Sequence, residues 1–220
     1  MAAPDLLGDA EAALLDLDGT LVDSNYQHAL AWFRAFRAHG IVLPVWRLHR
    51  HVGMGGDQLV KSVAGQEVED ELGDRLRAAE KSEFAPLRDE CEPLDGIPEL
   101  VSALDRRGLR IVLASSSPAK DLDYFLDALD LRDRVHGWTT ADDVDRSKPH
   151  PDVVHAALDR AGTHTAVMIG DSRWDVESAA NAGVPGICVI TGGWSEQELL
   201  DAGAEAVFGS LRALAEALDG

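Results

Sequence analysis

Cysteine is almost missing from this 220-residue sequence: Cys91 and Cys188 are the only two. Two thiols cannot form a disulfide scaffold in a chain of this length. Basic charge is scarce as well, with 20 Lys+Arg against 39 Asp+Glu and a formal net charge of −19. Such a field repels phosphate backbones and anionic lipid, which disfavours a nucleic-acid or membrane-surface partner. If the ligand is itself an anion, a metal or a few local cations must overcome that field. No run reaches the roughly 18 apolar residues that a membrane span needs. Met1–Leu15 has no basic start and is interrupted by Asp5, Asp9 and Glu11, so no secretory leader is read there and a cytoplasmic protein is expected.

What is present is an ordinary globular mix, 45% hydrophobic and 27% charged. The length suits one large domain, or one domain with an insert. Short, continuously apolar runs at Ala12–Leu17, Arg110–Ala114, Thr165–Ile169 and Gly186–Ile190 read as buried parallel strands, with weaker candidates at Val135–Thr140 and Ala206–Phe208. Helical patterns alternate with them at Pro98–Arg107, Pro118–Leu129, Asp152–Ala161 and Asp175–Ala182. This alternation predicts a doubly wound α/β sheet flanked by helices.

Between the first two strands lie about 65–70 residues with only helical patterning: Tyr26–His39 after Ser24 or Asn25 as cap, a second helix from Pro44 through Val52, Asp57–Ala64, and roughly Glu67–Phe84. Trp32, Phe33 and Phe36 are expected to join these helices to one another. The expected division is a core of residues 1–22 and 91–220 with a helical cap at 23–90 that acts as a lid.

Polar residues punctuate the carboxyl ends of the strands. Asp16 and Asp18 are two apart, a spacing that points both carboxylates to one side of an extended strand. Two like charges beside a buried sheet are costly unless a cation joins them, and Mg²⁺ takes a few carboxylate oxygens plus phosphate and water. Ser115 ends the second strand, and Asp171 and Asp175 follow the third. Lys148, one of four lysines, lies between those two strands. In open α/β sheets the ligand sits outside the carboxyl ends of the strands, where these groups would converge. Carboxylates, a hydroxyl and an ammonium around one point suit metal-assisted phosphoryl chemistry better than an apolar pocket. The eight histidines form no H-x-x-x-H or H-E-x-x-H pattern, so zinc is not expected.

The order of these residues resembles the haloacid dehalogenase superfamily. Asp16-Leu17-Asp18-Gly19-Thr20-Leu21-Val22-Asp23-Ser24 is similar to its first motif, Ser115 to the second, Lys148 to the third, and Gly170-Asp171-Ser172-Arg173-Trp174-Asp175 with Asn181-Ala182-Gly183 to the fourth. The helical insert resembles the C1 cap of the phosphoglycolate phosphatase and β-phosphoglucomutase branch. The resemblance implies a Rossmann-like core and a Mg²⁺-dependent phosphatase acting on a small phosphorylated metabolite, as a monomer or homodimer.

The resemblance also implies roles. Asp16 is the nucleophile, and Asp18 the group that acts as acid and then base. Asp16, Asp18 through its carbonyl, Asp171 and Asp175 hold the metal. Leu17, Asp18, Ser115, Ser116 and Lys148 bind the phosphoryl group. The second aspartate separates this chain from the dehalogenase branch, where an aromatic residue stands at that position. The segment Arg47–Gly56 resembles the part of the cap that faces substrate, which nominates Arg50, His51 and Met54 as substrate contacts. A phosphomutase, or a non-catalytic binding protein that keeps the fold, are the competing readings.

Overall fold

The computed structural model describes residues 6–220; residues 1–5, where the leader reading and the first core segment begin, lie outside the described residues. Strand β1 (Ala12–Leu15) enters a tight turn, followed by a two-residue strand β2 (Val22–Asp23). Four helices come next: α1 (Asn25–Ala38), α2 (Val45–His49), α3 (Gly56–Ala64) and α4 (Gln66–Phe84). The chain returns through β3 (Glu92–Pro93) to α5 (Ile97–Arg106), β4 (Arg110–Ala114), α6 (Ala119–Ala128), β5 (Gly137–Thr139) and α7 (Asp152–Ala161). It ends with β6 (Ala166–Gly170), α8 (Arg173–Asn181), β7 (Gly186–Val189), α9 (Glu196–Asp201), β8 (Ala206–Phe208) and α10 (Leu211–Asp219). No helix among the described residues is long and apolar enough to cross a membrane.

Six strands form one parallel sheet in the order β5-β4-β1-β6-β7-β8. Period-two alternation divides β1 and β4 between two apolar layers. Ala13, Leu15, Ile111 and Leu113 face a core shared with Leu100 and Leu104 of α5, Leu122 and Phe125 of α6, and Leu211 and Leu214 of α10. Ala12, Leu14, Val112 and Ala114 face Val153, Val154 and Ala157 of α7. Both faces are covered, which is why the strands read as unbroken apolar runs. Leu15 pairs with Leu113 on one side and Ile169 on the other, so β1, β4 and β6 end at one level of the sheet.

Helices α1–α4 have an apolar core of their own, built from Trp32, Phe36, Leu48, Leu59, Val60, Val63 and Leu76 with Phe33 packed against it. The outgoing and returning chains pair as a small antiparallel ladder, Val22 with Pro93 and Asp23 with Glu92. That ladder has no apolar alternation to announce it, and the sequence gives no sign of it.

Three local expectations are corrected. The first strand stops at Leu15, because the Leu17 carbonyl accepts from the amides of Thr20, Leu21 and Val22 and the backbone turns there. Ser24 does precede α1, yet its hydroxyl makes no cap bond and binds Asp18 instead, while Asn25 reaches Asp171. The second insert helix ends at His49 rather than Val52.

Candidate active site

Because β1, β4 and β6 end at one level, Asp16, Ser115 and Asp171 leave the sheet along the same edge. Asp18 follows within the turn after β1. Gly19 lets that turn close against the next loop: its φ is +78°, and a Cβ there would lie 2.5 Å from Asp171 Oδ2. Only glycine fits so close an approach in that backbone conformation. Asp175 sits in the first turn of α8, where Ser172 is the N-cap and Asp175 its capping-box partner. Ser172, not Asp171, therefore caps this helix, and Asp171 is left to face the site.

Lys148 is 1% exposed. Its ammonium donates to Asp16 Oδ1 at 2.5 Å and to Asp175 Oδ1 at 2.7 Å. Asp175 Oδ2 accepts from the amide and hydroxyl of Ser172 at 3.0 and 2.6 Å. Asp171 accepts from Thr20 Oγ1 at 3.1 Å and from Asn25 Nδ2 at 2.9 Å. Among the described residues no donor reaches Asp16 Oδ2. Ser115 Oγ is buried and accepts from the Ser117 amide at 3.0 Å, and Ser116 Oγ is buried with no partner among the described residues.

Carboxylate oxygens of Asp16, Asp171 and Asp175 lie within 4.8 Å of one another. Burial lifts Asp16 to about 7; Lys148 draws it down, while the charges of Asp175 and Asp18 push it up. Burial likewise raises Asp171 well above the ordinary carboxylate range, with Asp175 and Asp16 adding to it. One ammonium thus stands against three buried carboxylates. The donor set is entirely hard oxygen, and its excess negative charge fits a divalent cation. Asp16 and Asp171 retain free lone pairs for it. Each Asp171 oxygen accepts one neutral donor, whereas Asp175 accepts the Lys148 ammonium on one oxygen and two Ser172 donors on the other, which makes it a support for the other two.

Asp18 lies between the core and the insert. It accepts from Ser24 Oγ at 2.6 Å and Ser117 Oγ at 2.7 Å, and His28 Nε2 lies 3.4 Å from it. His28 Nδ1 meets Glu80 of α4 at 2.9 Å, and its ring stacks on Phe84. Burial opposes a charge on both members of this pair. The His28 cation and the hydrogen bonds nevertheless hold Asp18 well below the carboxylate range, while Asp18 and Glu80 raise His28 to about 10. The proton of the pair therefore resides on His28.

A folded-state pKa above the free imidazole value stabilises fully below about 6.5, and that contribution is lost as pH rises through 10. His28→Asn should cost about 2 kcal/mol near pH 6, with the difference from wild type shrinking toward pH 10. Urea unfolding of both proteins across that range measures it, and a pH-independent gap would count against the ion pair.

Asp16, Asp18, Lys148, Ser116 and Met54 line one cavity of about 320 Å³, together with His28, Trp32 and the α4 residues Arg77, Glu80 and Lys81. Leu17 is the exception in its motif: its side chain is buried in the main core, leaving only its backbone beside Asp16. Arg50 and His51 are a correction. They line a separate surface groove with Trp174, Trp194 and Glu198. The Arg50 guanidinium lies 3.3 Å over the Trp194 ring and pairs with Glu198, while the His51 ring stacks near Trp174. The side chains that suggested substrate contacts join the end of α2 to α8, α9 and the loop before α9.

Sequence reasoning missed Thr20, Asn25, His28, Ser117, Arg77, Glu80 and Lys81. Only His28 carried a signal, being four residues beyond Ser24 on one face of α1.

The profile of the haloacid dehalogenase-like hydrolases matches residues 10–183. The chain belongs to this family of hydrolases. It is 30% identical to a phosphoglycolate phosphatase of Rhodospirillum rubrum over 94% of this chain and 90% of that protein. It is also 30% identical to an N-acetylmuramic acid 6-phosphate phosphatase of Pseudomonas aeruginosa, over 79% of this chain and 78% of that one. The crystal structure of a hydrolase from Pseudomonas syringae superposes with a TM-score of 0.88 at 34% identity, covering 94% of this chain and 97% of its own.

Proposed function

We propose that this protein is a Mg²⁺-dependent phosphomonoesterase that cleaves a small phosphorylated metabolite through an aspartyl-phosphate on Asp16. The observation that carries this reading is the asymmetry of Asp16. One oxygen is held by Lys148, no donor among the described residues reaches the other, and Asp16 lines the cavity. A carboxylate oriented in this way can attack phosphorus in line with the leaving group. The named relatives hydrolyse phosphomonoesters, and the cavity has room for a small substrate.

Asp16 Oδ2 would form the new P–O bond as the alkoxide leaves, and water would later cleave the acyl phosphate to regenerate Asp16. Asp18 would protonate the alkoxide and then take a proton from the water. Asp18 is ionised at rest, so the proton it delivers to the alkoxide would come from His28, 3.4 Å away, and the proton it takes from water would return there. Ser115, the hydroxyl of Ser116 and the amides of Leu17 and Asp18 would bind phosphoryl oxygens, and Lys148 would offset charge on the nucleophile. A divalent cation held by Asp16, the Asp18 carbonyl and Asp171, with Asp175 in support, would orient the phosphoryl group and neutralise its charge.

Residues 23–90 act in this reading as the cap: they close over the cavity, exclude water and select the leaving group. Met54 and Trp32 present apolar surface there and Lys81 presents a cation, while the Arg77 guanidinium is paired with Glu69 and Asp74. Phosphoglycolate, whose leaving group carries a carboxylate, suits such a wall.

The test is phosphate release from phosphoglycolate, N-acetylmuramic acid 6-phosphate, hexose phosphates and p-nitrophenyl phosphate, with Mg²⁺ or with EDTA. Release should require the metal, and isomers should not accumulate. Mg²⁺ at about 100 times its Kd should also stabilise the protein by about 2.7 kcal/mol against urea. Release that survives EDTA, or none from any compound, would overturn the reading.

A further inference from the structure

Lys148 is fixed at its ammonium end by Asp16 and Asp175; after it, Asn181 and Ser178 of α8 bind the carbonyls of Pro149 and His150, and before it the hold on the backbone comes from the insert. Asp57 lies in the first turn of α3, half-buried. Its Oδ2 accepts from the backbone amide of Ser147 at 3.2 Å, and its Oδ1 accepts from the Ser147 hydroxyl. Ser147 is itself buried and immediately precedes Lys148. The two partners are 90 residues apart in sequence and belong to different parts of the fold.

A second observation concerns the glycine break before α3. A Cβ on Gly55 would lie 2.4 Å from Ser147 Oγ and 2.5 Å from Ser147 Cβ. No real Cβ approaches so closely, so the bare backbone at Gly55 is what lets α3 settle on the Lys148 loop. Val52, Gly53, Met54, Gly55 and Gly56 also line the cavity. The segment that covers the substrate space is thus the one that grips the residue beside Lys148.

We propose that Asp57 is a positioning residue for Lys148: docking of the insert over the cavity and placement of the Lys148 backbone are one event, made by the Asp57–Ser147 pair. A carboxylate in the first turn of a helix also favours that helix through its dipole. That local role needs nothing from Ser147, and this difference separates the two. The proposal rests on the phosphatase reading, because it assigns an effect on turnover.

The experiment compares Asp57→Ala, Asp57→Asn, Gly55→Ala, Ser147→Ala and the double variant Asp57→Ala/Ser147→Ala, using the best substrate found above and saturating Mg²⁺. Misplacement of a catalytic group by about an ångström costs up to ~10²-fold, so Asp57→Ala should lower kcat by ~10- to 10²-fold with KM changed less than about threefold. Asp57→Asn, which keeps one acceptor oxygen, should recover part of the loss, and Gly55→Ala should reproduce it. In the Ser147→Ala background Asp57→Ala should cost clearly less than in wild type, since contacting partners are not additive.

Amide hydrogen exchange supplies a readout independent of turnover: the Ser147 amide should lose protection in Asp57→Ala. Unchanged kcat, equal costs in both backgrounds or a Ser147 amide as protected as in wild type would each overturn the proposal. A wild-type protein without phosphatase activity overturns the phosphatase reading and the effect on turnover with it; the amide then reports alone whether Asp57 holds Ser147.

Discussion

Asp16→Asn is expected to lower phosphate release by about 10⁴-fold or more, the size of loss seen when a nucleophile is removed, while the protein stays as stable as wild type or becomes more so. The two halves have one cause. Asn presents no anionic oxygen to phosphorus, so the covalent step has no nucleophile. The same change removes one of three buried carboxylates, the one that burial has already lifted to about 7. Lys148 keeps Asp175 at 2.7 Å, so its charge remains paired. Wild-type Asp16 has a folded pKa above its unfolded value. Its contribution to metal-free stability is therefore greatest below about pH 3.8 and is lost as pH rises through 7. Asn does not titrate, and the variant should gain on wild type across that window. Steady-state phosphate release together with urea unfolding at pH 5 and pH 8, both in EDTA for the stability arm, reads both effects. Equal turnover in the two proteins would remove Asp16 from the chemistry.

The core was legible for a simple reason. Parallel strands covered on both faces must be apolar throughout, and the polar residues that end them stand out against that background. Asp16, Ser115 and Asp171 stand out in this way, whereas Lys148, in a loop, is picked out only by its resemblance to the third motif; its ammonium meets Asp16 at the same sheet edge. Geometry inside the turn was not legible. The two-residue spacing of Asp16 and Asp18 suggested one face of a strand, yet the backbone turns after Leu15 and sends Asp18 toward Ser24, Ser117 and His28. Long-range partners left no local trace either. Asn25 meets Asp171 across 146 residues, and Asp57 meets Ser147 across 90. Both read locally as ordinary residues at a helix start. Arg50 misled in the opposite direction, because a cation near a glycine break suggests an anion site, whereas its partners Trp194 and Glu198 are supplied by α9 and the loop before it, far along the chain.

Lys148→Met is the substitution expected to damage the fold most among the site residues. The side chain is buried at 1% exposure, and methionine nearly fills its volume, so packing changes little. Charge changes a great deal. Asp16 and Asp175 lose their shared cation and keep Asp171 as a like-charged neighbour within 4.8 Å. Breaking a buried ion pair on one side costs about 3–5 kcal/mol. In EDTA the variant should lose stability of that order at pH 8. The loss should be smaller at pH 5, because Asp16 and Asp171, whose folded pKa values are raised, then take up protons and shed their repulsion; for such acids stability declines as pH rises. Saturating Mg²⁺ should return more stability to the variant than to wild type, since the cation meets a more negative cluster. Turnover should still fall by about 10²- to 10³-fold, as it does when a preorganised electrostatic group is removed from a developing anion. Urea titrations at the two pH values, with EDTA and with Mg²⁺, separate these effects. If the variant unfolds at the wild-type urea concentration in EDTA at pH 8, Lys148 is not the counter-charge on which the carboxylate cluster depends.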